Sequence, residues 1–406
     1  VKEEAMTWNR RTILKAAGAA ALLPARAARA DDMPGVTPSE IKIGNTMPYS
    51  GPASAYSVIA KAEAAFFKMV NEKGGINGRK INFISLDDGY SPPKTVEQTR
   101  KLVEQEGVAF MVQGLGTPTQ SAVRTYLNAK KVPQMFVATG ADKWGDYEHF
   151  PWTIGFQPSY RTEAAIYAKY ILKEKPGAKI GVIYQNDDFG KDYIAGLKDA
   201  LGDKYATMVV KEVSYETTDP TTDSQVVTVQ SAGADVLVSA ATPKAAAQVI
   251  RKVADLNWKP LHIMTNVSIS VGAVLNPAGL DKATGLTSAA WQKDNTDPQW
   301  ANDPGMNEWR AFMKAWLPDG DLSDNNNTYG YGASLLIMQV LKQCGDDLSR
   351  ANLMKQAANI KDFSLPILLP GSVINTSPTN FHPVRSMQMQ RFNGKTWELF
   401  GSLITA

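Results

Sequence analysis
Few side chains of this chain are spaced for covalent chemistry. Its three histidines, His149, His262 and His382, lie far apart and in no HExxH pattern, so no histidine-rich metal site is expected. The single cysteine, Cys344, excludes an internal disulfide and zinc sites built from several thiolates. It ends an apolar helical run that Gly345 would cap, which suits a buried structural thiol. The acidic pairs Asp87-Asp88 and Asp187-Asp188 have the charge for a metal. Each directly follows a strand, however, where turn formation and capping are the expected roles. There is no Gly-x-Ser-x-Gly elbow, no phosphate loop ending in Lys-Ser/Thr and no Gly-x-Gly-x-x-Gly; Gly114-Leu-Gly-Thr117 comes nearest and lacks the third glycine. Neither metal nor cofactor is expected, and catalysis falls well behind binding.

The elements that would position a binding site are legible as periodicity. Ile41–Pro48, Ile81–Leu86, Val108–Val112 and Pro133–Val137 are predicted strands. They alternate with predicted helices over Ile59–Lys73, Pro92–Gln105 and Thr119–Lys130. The rhythm restarts with strands over Lys179–Tyr184, Met208–Tyr215, Asp235–Val238 and His262–Thr265. The helices of this second unit are predicted over Arg161–Lys173, Gly190–Leu201, Thr221–Ser231 and Lys244–Leu256. Helices follow at Asn307–Trp316, Tyr331–Lys342 and Arg350–Asn359, and the chain closes with strands 387–392 and 397–400 around an Asn393-Gly394 turn. Such alternation implies an α/β fold with two mainly parallel sheets flanked by helices. Open parallel sheets bind ligands beyond the carboxyl ends of their strands. The candidate site is therefore the set of loops after Thr46, Val112, Val137, Tyr184, Val238 and Thr265.

The 406 residues are 44% hydrophobic and 20% charged, an ordinary globular composition whose length suggests roughly two domains. The net charge of +3 is concentrated in the first thirty residues, where six bases face two acids. The remainder is near neutral, so no basic face for nucleic acid is expected. Asn9-Arg-Arg-Thr-Ile-Leu-Lys15 resembles a twin-arginine export signal, followed by an alanine-rich stretch and Ala28-Arg29-Ala30 as a cleavage pattern. Export to the periplasm with cleavage after Ala30 is expected.

Several segments together resemble the periplasmic solute-binding proteins of branched-chain-amino-acid-type ABC importers (the leucine/isoleucine/valine-binding family). They are Ser50-Gly-Pro-Ala-Ser-Ala-Tyr56, Asn71-Glu-Lys-Gly-Gly-Ile-Asn-Gly78, Leu86-Asp-Asp-Gly-Tyr-Ser-Pro92 and Gln185-Asn-Asp-Asp-Phe-Gly190. The resemblance implies a two-lobed clamshell of the type I periplasmic binding protein kind. One lobe would span 39–157 and 290–385, the other 158–289 and 386–406, with crossovers near Gly155–Ser159, Ser288–Gln292 and Val384–Met389. It also implies a non-enzymatic role: hinge closure over a small carboxylate, and delivery by a monomer to an inner-membrane permease with its ATPases. A ligand sensor for a signalling partner and an exported enzyme are the competing readings.

On the same resemblance, Gly116, Thr117, Ala138, Thr139 and Gly140 hold the ligand's carboxylate. Small residues there let the backbone approach, and helix N-termini offer free N–H groups to an anion. Tyr56 and Phe189 match aromatics that pack on the ligand, while Thr242 and Asn266 fall in loops supplying further contacts. One departure stands out. Amino-acid-binding members place a carboxylate for the ligand's ammonium after the strand equivalent to 262–265, but here Met264-Thr-Asn-Val-Ser-Ile-Ser270 has none. An acid expected near the first crossover is replaced by Tyr160 and Arg161. Burying an unpaired ammonium is costly. A carboxylate with an apolar or aromatic body, such as a benzoate or hydroxycinnamate, is therefore favoured over a branched-chain amino acid or an amide. Tyr56, Tyr160, Phe189 and, less readily, Trp144 would stack on its ring. Arg161 is left between decorating a helix start and pairing with the anion.

Overall fold
The computed structural model describes residues 33–405. The export signal expected over residues 1–30 lies outside them. In the first sheet β1 (Glu40–Met47), β2 (Lys80–Asp87), β3 (Phe110–Val112), β4 (Gln134–Val137) and β5 (Thr153–Gly155) are all parallel, in the order β2-β1-β3-β4-β5. Strands covered on both faces need no alternation, and β3 and β4 are buried along their whole length.

The second sheet repeats the plan. β6 (Ile180–Gln185), β7 (Val209–Tyr215), β8 (Val236–Ala240), β9 (Leu261–Met264) and β10 (Thr287–Ala290) run parallel in the order β7-β6-β8-β9-β10. The antiparallel β11 (Ser386–Phe392) and β12 (Trp397–Leu399) extend it beyond β10, and the short β13 (Ile404–Thr405) pairs with β11. In each sheet the strand order reverses beside its first strand, between β1 and β3 and between β6 and β8. That reversal opens a crevice at the carboxyl ends, where open α/β sheets take ligands.

Between β10 and β11 the chain returns to the first sheet's side. There the helices Pro304–Trp316 and Asn325–Cys344 pack on the helix Val58–Glu72, with the Phe66 ring 6.0 Å from Phe312 and 5.6 Å from Tyr331. Gly330 is required by this packing, since a Cβ would lie 2.5 Å from the Ile59 carbonyl oxygen. Arg350, at the start of the helix Arg350–Ala357, ties that helix to the Val108 and Ala109 carbonyls.

Several elements differ from expectation. β5 and β10 are short and rich in small or polar residues, so neither shows an apolar run. Ser288, expected in a crossover, is paired within β10, and β11 begins at Ser386, one residue before the predicted strand start at 387. The helix predicted from Tyr331 begins at Asn325, because Asn325-Asn-Asn-Thr328 is polar yet buried. Cys344 is buried at the end of that helix, and Gly345 caps it with φ of 59°.

Candidate functional site
The loops at the carboxyl ends of both sheets line one cavity, whose empty space of about 580 Å³ includes the part open to solvent. Eight of the ten candidate residues line it: Tyr56 after β1, Gly116 and Thr117 after β3, Ala138 after β4, Tyr160 after β5, Phe189 after β6, Thr242 after β8 and Asn266 after β9. Thr139 and Gly140 stand behind the wall rather than in it. The Thr139 hydroxyl meets that of Thr117 at 2.5 Å and so orients it. Gly140 gives room to an aromatic neighbour, since a Cβ there would lie 2.8 Å from the Tyr160 ring. Trp144 is buried in a small cluster with Val137 and Ala141, away from the cavity. Arg161 pairs on the surface with Asp199 at 2.5 Å and is not an anion site.

Sequence reasoning missed Tyr90, Gln157, Trp291, Gln292, Asn325, Asn326 and Tyr329, which also line the wall together with the apolar Ile59, Leu115 and Val267. Tyr90 lies in the family-like segment after β2. Its backbone, like that of Gly89, is left-handed (φ 60° and 58°), an uncommon conformation for a non-glycine residue that merits a functional look. The turn is built by the acidic pair. Asp87 accepts from the Tyr49, Ser50 and Gly89 amides, and Asp88 from the Tyr90 amide and the Thr95 hydroxyl. Asp87 is held well below the usual carboxylate range; burial pushes it up, but Lys94, the Ser50 hydroxyl and the backbone amides outweigh that. These contacts are turn chemistry, as expected of the pair. The signal that would have placed Asn325 and Asn326 was Asp324, an N-cap ahead of a polar run.

Two features define what the cavity accepts. The first is its wall. Among the described residues lining it there is no Asp, Glu, His, Lys or Arg, whereas six are aromatic: Tyr56, Tyr90, Tyr160, Phe189, Trp291 and Tyr329. Tyr160 packs edge-on against Phe189 at 4.8 Å and Trp291 against Tyr329 at 5.6 Å. Gln157 links the two groups, accepting from the Tyr329 hydroxyl at 3.0 Å and donating to that of Tyr160 at 3.3 Å. Burial drives the Tyr56, Tyr90, Tyr160 and Tyr329 hydroxyls well above their usual range, so all four stay protonated.

The second feature is helix polarity. Several helices start at the wall with the positive end of the dipole inward, five of them being Thr117–Ala129, Tyr160–Glu174, Asp188–Leu201, Pro243–Asp255 and Asn325–Cys344. Three of them are capped by side chains, from Ser159, Asp187 and Asp324. The other two are not. Gly116 has no side chain to cap with, and the Thr242 hydroxyl is engaged by Tyr215 and Gln185. An anion at the Gly116 end would meet the Thr117 amide, which has no intrahelical acceptor, whereas at the other end the Thr242 amide donates to the Tyr215 hydroxyl and Pro243 has no N–H to offer.

The two sheets are joined across the cavity. The Tyr56 hydroxyl donates to the Val267 carbonyl at 2.9 Å, and the Gln185 amide donates to the Tyr90 hydroxyl at 3.3 Å. Beside it the Asp142 amide donates to Asp192 at 2.7 Å and Lys143 pairs with Asp188 at 2.7 Å. Burial, reinforced by Asp142 and Asp188, raises Asp192 to about 7.

One acidic residue escaped sequence reasoning. Glu163, fully buried one layer behind Asn266, accepts from the Asn266 backbone amide at 2.8 Å, from the Asn266 side-chain amide and from the Tyr167 hydroxyl. Burial raises it to about 7 against the pull of these donors. The reading that no carboxylate attends this end of the site therefore holds for the wall but not for the layer beneath.

Comparison with known proteins accords with this architecture. The periplasmic binding protein family model matches residues 40–396. A Leu/Ile/Val-binding protein homolog 7 from Brucella suis is 25% identical over 343 residues, covering 80% of this chain and 82% of that protein. A Leu/Ile/Val-binding protein homolog 3 from Brucella melitensis is 27% identical over 210 residues, and there the match spans only 54% of the relative's length. Among solved structures, a branched chain amino acid ABC transporter protein from Thermus thermophilus with bound valine superposes with a TM-score of 0.81 at 15% identity, covering 91% of this chain and 97% of that one. The chain thus has the type I fold, works by binding rather than by catalysis, and belongs to the periplasmic binding protein family.

Proposed function
We propose that this protein captures a small monocarboxylate with an apolar, preferably aromatic, body and delivers it to an inner-membrane ABC permease and its ATPases. The lobes would be 39–157 with 290–385 and 158–289 with 386–406, closing on a hinge as periplasmic binding proteins do. The protein would act as a monomer, exported by the twin-arginine signal.

The observation that carries this reading is the combination of an uncharged, aromatic-lined wall with the uncapped helix N-terminus at Gly116. The carboxylate takes the free amide of Thr117, and the rings of Tyr56, Tyr160 and Phe189 take the body. A zwitterion would have to bury its ammonium with no anion on the wall, a penalty of several kcal/mol. A second reading, an α-amino acid, draws on the valine bound to the Thermus thermophilus neighbour and on Glu163 beneath Asn266. A thermal-shift screen against benzoates, hydroxycinnamates, aliphatic acids, amides and amino acids separates the two, because a ligand raises the melting point with its concentration over Kd. Shifts confined to amino acids would overturn the first reading.

A further inference from the structure
The Asn266 side chain sits between the cavity and a buried carboxylate, and the two ends of its amide are chemically opposite. Ionised Glu163 can only accept hydrogen bonds, so the amide must turn its NH2 toward it. The structure has that arrangement: Asn266 Nδ2 donates to Glu163 Oε2, while the Asn266 backbone amide and the Tyr167 hydroxyl donate to Oε1 at 2.8 and 2.5 Å. Asn266 also lines the cavity, and its Oδ1 has no hydrogen-bond partner among the described residues.

Resting on the reading of the cavity as the ligand site, we infer that Glu163 is a positioning residue: it locks the Asn266 amide with its carbonyl oxygen toward the ligand, so that this end of the site selects a hydrogen-bond donor. The ligand class narrows accordingly to acids that carry a neutral donor, a hydroxyl or an amide N–H, at the end remote from the carboxylate. The carboxylate that branched-chain amino acids would require on the wall is here one layer back. It acts on the ligand only through the amide it orients.

The substitution Glu163→Gln tests this with little change in volume. The introduced glutamine can still accept from the Asn266 backbone amide or the Tyr167 hydroxyl, but its own NH2 now faces the Asn266 side chain. The Asn266 amide reverses to accept from it, and an NH2 then points into the cavity. The probes are 4-hydroxycinnamate, which can donate at its far end, and 4-methoxycinnamate, which can only accept, titrated by calorimetry at about pH 8. The preference of the original protein for the hydroxyl compound is expected to fall by about tenfold or more in the variant, the worth of one buried hydrogen bond. Glu163→Asp, which keeps the carboxylate, should restore the preference in part. A purely structural role for Glu163 would weaken both compounds equally and leave their ratio unchanged, which would overturn the inference.

A ligand-free measurement keeps the result separate from the ligand assignment. In nitrogen-15 spectra, the Asn266 side-chain amide, identified by its loss in Asn266→Ser, should show one proton shifted downfield and protected from exchange, and Glu163→Gln should abolish that signature. An unchanged signature in the variant overturns the positioning role whatever the ligand is. If the signature behaves as expected but neither cinnamate binds the original protein, the positioning role stands and the aromatic-acid reading falls. Should Glu163→Gln fail to fold, the Glu163→Asp spectrum and its titrations carry the same test: loss of both the signature and the hydroxyl preference despite the retained carboxylate would overturn it.

Discussion

Removing the Tyr56 hydroxyl tests whether lobe-to-lobe contacts set the affinity. In the structure that hydroxyl donates to the Val267 carbonyl at 2.9 Å, from a side chain only 6% exposed. Its high pKa keeps it a donor across the accessible pH range. Tyr56→Phe leaves the ring in place and orphans the carbonyl of Val267 only when the lobes are together. A net loss of about 1–2 kcal/mol is expected, between the worth of a made hydrogen bond and the penalty of a buried unsatisfied acceptor. Because the loss falls on the closed state alone, the apparent Kd should rise by roughly 5- to 30-fold. Calorimetry would read that rise. Small-angle scattering should show that saturating ligand still contracts the particle, at correspondingly higher concentration. An affinity unchanged within about twofold, with unaltered scattering, would refute the reasoning, because the bond would then contribute nothing to closure.

Other consequences follow from the same geometry. Glu163 titrates near 7 in the folded protein against a usual 4.5, so the native state binds more protons between those values. Its contribution to stability is therefore full below about pH 4.5 and is lost as pH rises through 7, by an order of 3 kcal/mol at most. Denaturant melts of Glu163→Gln against the original protein should show the variant gaining relative stability from pH 5 to 8, and a constant difference would contradict the assignment. Gly116→Ala places a Cβ 2.4 Å from the Tyr90 ring at φ of 100°, so it should cost about 1–3 kcal/mol in backbone strain alone. It should also abolish detectable binding in the thermal-shift assay. Phe189→Leu keeps the apolar contact but loses the edge-on stack with Tyr160, about 1 kcal/mol. Aromatic acids should weaken roughly fivefold in calorimetric titrations while aliphatic acids change little.

The parallel sheets were legible because their strands are apolar runs bounded by helices, as in Val236–Val238 with the helix Pro243–Asp255 behind it. The strand-end rule then pointed to the loops that line the cavity before any side chain was placed. Thr287-Ser-Ala-Ala290 was not legible as a strand, since a strand of small residues carries no hydrophobic signal; it is small where the Tyr167 hydroxyl must reach the Ala289 amide. Asn325 and Asn326 were missed for a related reason. Polar residues at a helix start look solvent-facing, and only the tertiary packing turns them into a wall. Thr139 and Gly140 show the converse: short loops suited to touching a ligand instead orient Thr117 and seat Tyr160. Glu163 could not be connected to Asn266 across some hundred residues by any local pattern.

The central claim is that an uncharged wall takes an acid and rejects the matching zwitterion. Two pairs of compounds differ only by the α-ammonium: 3-phenylpropanoate against L-phenylalanine, and 4-methylpentanoate against L-leucine. Calorimetric titration of the protein with all four isolates that group. The account predicts that each plain acid binds more tightly than its amino acid by about 30-fold or more, the equivalent of roughly 2 kcal/mol for burying an unpaired ammonium. Equal affinities, or tighter binding of the amino acids, would contradict it.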